Sequence, residues 1–201
     1  DGSTDSSWEI LKMLNKLDKR ICAINFSRNF GKEGAIFAGL KEAKGDAIIV
    51  MDCDLQHPIE TAVEMYRIWE NNDIEIVEAK KKPRGKESLL YKGFAKMFYS
   101  ILKSTSGLDL SGASDFKLLD RQVVDSLLEM PERVTFFRAL SNWVGFKSEI
   151  VYFDVPKREE GKTKWSTKKL FKFAIESITS FSNLPMHIVT FCGVFFFIFA
   201  V

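Results

Sequence analysis

The chain has 201 residues and a formal charge of +2 at pH 7. That is length enough for one α/β domain with a real core, and too little charge for a global pull toward nucleic acid. Cys22, Cys53 and Cys192 lie far apart, with no Cys-x-x-Cys pair, which argues against a disulfide framework or a zinc site and suits a reducing compartment.

Asp1-Gly2-Ser3-Thr4-Asp5 reads as a turn that should follow a strand. With no initiator Met or signal peptide ahead of it, the sequence is expected to be a fragment that lacks its first strands. Ser6 and Glu9 form a capping-box pattern, and Ile10, Leu11, Leu14 and Leu17 supply a helical apolar stripe. Residues 21–26 read as a strand. The loop Ser27-Arg28-Asn29-Phe30-Gly31-Lys32 then opens a helix that Gly45-Asp46 ends. Residues 47–51 read as a strand, 58–69 as a helix and 74–79 as another strand. Short alternation of helix and strand predicts a parallel, doubly wound sheet with Phe26, Met51 and Ala79 opening on one edge.

Lys80-Lys81-Lys82-Pro83-Arg84-Gly85-Lys86 reads as a basic loop, either a solvated turn or a phosphate-facing segment. Residues 88–104 form an amphipathic pattern, either a core helix or a helix lying on a membrane. Asp115 precedes an apolar run, where it caps a turn or faces a cleft. Asp120 is placed to N-cap a helix over 121–130, which Pro131 stops. Residues 134–143 read as a short helix and 147–155 as a strand. A basic, glycine-interrupted loop over 157–165 precedes a second amphipathic helix over 166–183. Residues 186–201 are almost wholly apolar with no polar face, which points to lipid, although the run is short of the ~20 residues that span a bilayer. His57 reads as a turn residue beside the site, and His187 as a helix-end residue.

The chemistry concentrates at Asp52-Cys53-Asp54-Leu55-Gln56-His57-Pro58, at the end of the 47–51 strand. Strand alternation carried to Asp54 would aim Asp52 and Asp54 to one side. Two convergent carboxylates call for a positive partner, and a hard divalent cation that takes its other ligands from phosphates fits. The same pattern also suits a solvated turn with Asp54 as N-cap. Cys53, between two acids, is a poor thiolate and is not read as a nucleophile.

At Asp1-Gly2-Ser3-Thr4-Asp5, Asn25-Phe26-Ser27-Arg28-Asn29-Phe30-Gly31-Lys32, Asp52-Cys53-Asp54-Leu55-Gln56-His57-Pro58 and Ser114-Asp115-Phe116-Lys117-Leu118, the chain resembles family 2 glycosyltransferases of GT-A fold. It is most similar to their polyprenyl-phosphate branch, the bactoprenol glucosyltransferases and dolichyl-phosphate mannose synthases. The resemblance implies an α/β, Rossmann-like, mostly parallel sheet with flanking helices over 1–165. An amphipathic interface helix over 166–183 and the start of a transmembrane helix over 184–201 would follow. It implies inverting transfer of a sugar, glucose from UDP-glucose by the branch, to a polyprenyl phosphate, with Mg²⁺ or Mn²⁺. Asp1 would contact the nucleotide, with Ser3 and Asp5 nearby. Asp52 and Asp54 would hold metal and sugar diphosphate, with Gln56 beside the metal. Asp115 would stand near donor sugar and acceptor, and Arg121, Arg158, Lys162 and Lys164 near the acceptor phosphate. The family's first strand and its Pro-x-Tyr-Asn-Glu-type nucleotide segment are absent from this sequence.

A phosphate nucleophile is already anionic near neutral pH, so Asp115 reads as an orienting group, with the role of base left open. Basic residues ahead of the apolar run place the domain on the cytoplasmic face of the plasma membrane. The implied partners are nucleotide sugar, polyprenyl phosphate and lipid membrane, without nucleic acid and with the oligomeric state open. A processive polysaccharide synthase would carry Gln-x-x-Arg-Trp, whereas Lys164-Trp165 lacks the Gln and Arg. A soluble sugar nucleotidyltransferase fits the apolar tail poorly. A non-catalytic, membrane-anchored scaffold of the same fold is the alternative of a different class.

Overall fold

The computed structural model describes residues 1–82, 100, 103–104, 112–131, 136–154 and 184–200. Four strands form one sheet in the order β1-β3-β2-β4, where β1 is Ala47–Val50, β2 Ile76–Lys81, β3 Lys117–Asp120 and β4 Ser148–Phe153. β2 and β4 pair in parallel, from Ile76 opposite Ser148 to Lys81 opposite Phe153. β3 runs antiparallel to both β1 and β2, with Lys117 opposite Val50 on one side and Glu78 on the other. The sheet is therefore mixed, a correction to the mostly parallel expectation. The chain enters β3 from the edge where β1 and β2 end, so Asp115 arrives at the same edge as Asp52.

Alternation along the strands divides the core in two. Ile76 and Leu119 face one side, where they meet α2 (Gly31–Glu42), α4 (Arg121–Glu129) and α5 (Phe137–Trp143) through Leu40, Val123, Leu127 and Phe137. Val77 and Leu118 face the other, against Met65 of α3 (Ile59–Asn71) and Phe116. Asp120 caps α4 as expected, its Oδ1 accepting from the Gln122 N–H at 2.9 Å. Its Oδ2 accepts from Trp69 Nε1 at 2.9 Å, which ties α3 to the same junction.

Other expectations are corrected. Residues 21–26 carry no regular secondary structure and pair with no described strand. Helix α1 (Ser7–Leu17) forms, but no residue of it is buried, and Leu17 is 77% exposed. The Ser6 side chain makes no cap bond; Asp5 Oδ1 accepts from the Ser7 N–H instead. β2 runs on through Lys80 and Lys81, so the basic segment begins as strand. The amphipathic segments over 88–104 and 166–183 lie outside the described residues, apart from Ser100, Lys103 and Ser104. Helix α6 spans Leu184–Ala200, 17 residues, or about 25 Å of rise. No helix among the described residues is long and apolar enough to cross a membrane, so the expected transmembrane helix is not observed.

Candidate functional site

The carboxyl end of β1 runs into a turn before α3. Pro58, not Asp54, occupies the N-cap position of α3. Asp54 instead closes the turn, its Oδ1 accepting from the Gln56 N–H at 3.1 Å. Leu55 between them sits at φ 61°, a left-handed backbone that non-glycine residues adopt rarely and at a cost. His57 is buried at the end of the turn, and its Nδ1 accepts from the Asp52 N–H at 3.0 Å. Burial pushes the His57 pKa below its ordinary value, which keeps the ring neutral.

Across this edge Lys32, at the start of α2, reaches two acids at once. Its Nζ lies 2.8 Å from Asp52 Oδ1 and 2.7 Å from Asp115 Oδ2. Asp115 is almost fully buried and is gripped on its other side by Arg138 of α5. Arg138 Nε donates to Oδ1 at 2.6 Å and Nη2 to Oδ2 at 2.9 Å. Burial pushes the Asp115 carboxyl up, but Arg138 and Lys32 outweigh it and hold the pKa below the usual range. Burial likewise opposes the charge on Lys32, and its bonds to Asp115 and Asp52 reverse that, leaving the ammonium more basic than usual. The next residue, Glu33, accepts from the Phe137 N–H at 2.8 Å and so sets α5 against α2.

A second layer lies beneath. Glu78 Oε1 accepts from the Ser114 N–H at 2.8 Å, fixing the segment that carries Asp115. Lys117, with no exposed surface, donates to Ser141 Oγ at 2.9 Å and lies 3.6 Å from Glu78. Arg138 and Ser141 are three residues apart on α5, so one helix face serves both Asp115 and Lys117.

The structure brings Asp52 and Asp115 together through Lys32, with Asp54 and Gln56 on the adjoining turn. Asp1 comes near: its carboxylate accepts from the Phe30 N–H at 2.6 Å and the Gly31 N–H at 2.9 Å, next to Lys32. Gly2 permits this approach, because at φ 62° a Cβ there would stand 2.6 Å from Asn29 N. Ser3 is exposed. Arg121 is not brought to this edge. It follows Asp120, which pairs with Ala47 at the opposite end of β1, and its guanidinium is spent on the Ala43 and Gly45 carbonyls. Arg158, Lys162 and Lys164 lie outside the described residues. Sequence reasoning missed the parts played by Lys32 and Arg138. A lone Arg within Phe136-Phe137-Arg138-Ala139-Leu140 was the available signal, since a charge amid such residues needs a buried partner.

The donor set fits a hard divalent cation. Asp52 and Asp54 offer carboxylate oxygens, and Asp52 is partly open to solvent with the partly exposed Lys32 as its partner. No cluster of three acid, His or Cys ligands exists among the described residues.

The α/β fold with a mixed sheet and flanking helices is GT-A-like. The glycosyl transferase family 2 profile matches residues 1–128, and the chain belongs to that family. It is 40% identical over 195 residues to the uncharacterized glycosyltransferase YkcC of Bacillus subtilis, covering 96% of this chain and 60% of that protein. It is 39% identical over 194 residues to a prophage bactoprenol glucosyl transferase homolog of Escherichia coli, covering 96% and 63%. The chain thus spans about three-fifths of the length of these relatives. Among solved structures it resembles glucosyl-3-phosphoglycerate synthase from Mycobacterium tuberculosis, in complex with Mn²⁺ and UDP-glucose, with a TM-score of 0.53 at 16% identity over 89% of this chain and 64% of that one. That likeness is one of fold.

Proposed function

We propose that the protein transfers a sugar, glucose from UDP-glucose, with inversion onto a polyprenyl phosphate at the cytoplasmic face of the plasma membrane. One observation carries the reading: Lys32 Nζ is held within 2.8 Å of both Asp52 and Asp115 at the sheet edge where the Asp-x-Asp turn opens. The bactoprenol names of the relatives support the acceptor class.

Asp52 and Asp54 would hold a Mg²⁺ or Mn²⁺ ion with Gln56 beside it. When bound, that ion supplies Lewis acidity against the charge developing on the leaving diphosphate. Lys32 adds a second positive group at the same place, where a diphosphate bound at Asp52 would meet it. Asp115 has both oxygens engaged and a lowered proton affinity, so it orients the reacting groups and keeps Lys32 and Arg138 in place. It takes no proton, and an anionic phosphate nucleophile needs none removed. Asp1 and Ser3 are assigned to the nucleotide, and Arg158, Lys162 and Lys164 to the acceptor phosphate. Arg121 is left out of the acceptor site. Every described side chain of α6 is exposed and most are apolar, which favours contact with the membrane that holds the acceptor's hydrocarbon.

The test is a donor screen with the full-length protein in membranes, reading lipid-linked sugar by mass spectrometry. Hexose-linked polyprenyl phosphate formed from UDP-glucose is expected. Asp54→Ala should abolish it while leaving the fold intact. Full transfer in that variant, or in excess chelator, would overturn the metal assignment.

A further inference from the structure

We infer that His57 is a positioning residue, fixing the Asp-x-Asp turn through an acceptor nitrogen on a clamped aromatic ring. The Asp52 N–H lies beyond the end of β1, where no ladder partner is left to set its direction. It donates to His57 Nδ1 at 3.0 Å, closing the turn from Asp52 to His57 into a ring. The imidazole is itself immobilised. It stacks on Phe116, centroids 4.5 Å apart and planes 10° from parallel, and meets Phe153 edge-on at 5.9 Å. Both phenylalanines belong to the sheet core, so the turn is referenced to the rigid part of the fold.

A second observation points the same way. Leu55, inside that ring, is held at φ 61° with its side chain exposed. A strained backbone with no packing reward persists only where its surroundings over-determine it. The His57 bond and the Asp54–Gln56 bond both clasp the turn, and they help to fix where both carboxylates begin. Losing a group that orients a metal ligand typically costs about 10–100-fold in metal affinity.

The inference rests on the proposed donor site only for what the carboxylates hold. His57→Phe keeps the stacked ring and removes the acceptor. His57→Asn keeps an acceptor oxygen near the Nδ1 position and removes the ring. The full-length wild type and both variants would be compared by hydrogen exchange at the Asp52 amide without ligand, and by calorimetric titration of Mn²⁺ with UDP. His57→Phe should speed Asp52 exchange by about tenfold, the loss of one backbone hydrogen bond. It should also weaken Mn²⁺–UDP binding by about tenfold or more, with little change in thermal midpoint. His57→Asn should be less stable, yet protect Asp52 and bind Mn²⁺–UDP within about threefold of wild type. Wild-type exchange in His57→Phe overturns the inference, as does Asp52 exposure in His57→Asn equal to that in His57→Phe. If the exchange pattern holds but the wild type binds no Mn²⁺–UDP, the donor-site reading falls and the positioning role stands.

Discussion

Arg138 grips Asp115 with two parallel hydrogen bonds, Nε to Oδ1 at 2.6 Å and Nη2 to Oδ2 at 2.9 Å. A planar fork specifies the direction of a carboxylate as well as neutralising it, which a point charge does not. Arg138→Lys should therefore lose about tenfold in transfer rate, and Arg138→Ala about a hundredfold, if direction is what the site needs. Stability should fall by about 1 kcal/mol in Arg138→Lys and by about 2–3 kcal/mol in Arg138→Ala, which leaves the buried Asp115 carboxylate with Lys32 as its remaining cation. Rates for both variants, set against their urea midpoints, check this. Equal activity in Arg138→Lys and wild type would leave charge alone as the function.

Asp115 and Glu33 should give opposite pH signatures. The Asp115 pKa is held below its ordinary 3.8, because Arg138 and Lys32 outweigh burial. Its contribution is present above that ordinary value and is lost as pH falls through the lowered one. Glu33 is raised above its ordinary 4.5, burial being the largest cause. Its contribution is present below the ordinary value and is lost as pH rises through the raised one. Asp115→Asn should thus lower the neutral urea midpoint and flatten its fall toward about pH 3. Glu33→Gln keeps an acceptor for the Phe137 N–H and removes the buried charge. It should raise the midpoint at neutral pH, with the gain fading near about pH 4. Unfolding curves across this range decide both.

Local signals were legible where one segment answers its own question. The apolar run before Asp52 made a strand, Asp120 made a cap, and Pro131 followed the end of α4. Strand direction was not legible in the same way. Four residues such as Lys117–Asp120 alternate identically in either sense, and only the entry edge decides that β3 runs against its neighbours. Lys117 was equally opaque, since a lysine in a short strand reads as solvent-facing until a buried Glu78 is found opposite it. Of the site, the Asp-x-Asp turn and Asp115 could be picked out as acids. Their joining through Lys32, with Arg138 holding Asp115 from its other side, is a property of four distant segments meeting, which no local pattern carries.

Arg121 separates a role implied by resemblance from the one its bonds describe. Nε and Nη2 both donate to the Gly45 carbonyl, at 3.0 and 2.6 Å, and Nη2 donates to Ala43 at 2.9 Å. These bonds hold the α2–β1 connection, with the Arg121 N–H on the Asp46 carbonyl at 2.8 Å beside them. Arg121→Met should cost about 1–2 kcal/mol, in the range for charge-assisted hydrogen bonds with partial exposure. The apparent KM for polyprenyl phosphate should stay within about twofold of wild type, an effect too small to reflect a lost charged contact. A large rise in acceptor KM at unchanged stability would return Arg121 to the acceptor site.

The last prediction concerns the buried pair beneath Asp115. Lys117 has no exposed surface, and burial pushes its pKa below the ordinary value of 10.5. Its ammonium sits between Ser141 Oγ at 2.9 Å and Glu78 Oε1 at 3.6 Å. Glu78 also takes the Ser114 N–H at 2.8 Å, and Lys80 approaches its other oxygen at 3.7 Å. Removing Lys117 alone would leave a buried carboxylate with Lys80 as its remaining cation beside the Ser114 N–H. Lys117→Met should therefore cost about 3 kcal/mol, at the low end for breaking a buried pair because Lys80 remains. Glu78→Gln removes that stranded charge and keeps an oxygen for the Ser114 N–H, so the segment carrying Asp115 stays fixed. The double variant should recover at least half of the loss, and the coupling is read from a double-mutant cycle in urea. Transfer activity should follow the same order, lowest in Lys117→Met, because the pair fixes the backbone at Ser114 that carries Asp115. A double variant as unstable as Lys117→Met, or as inactive with stability restored, would show that the ammonium itself serves the site.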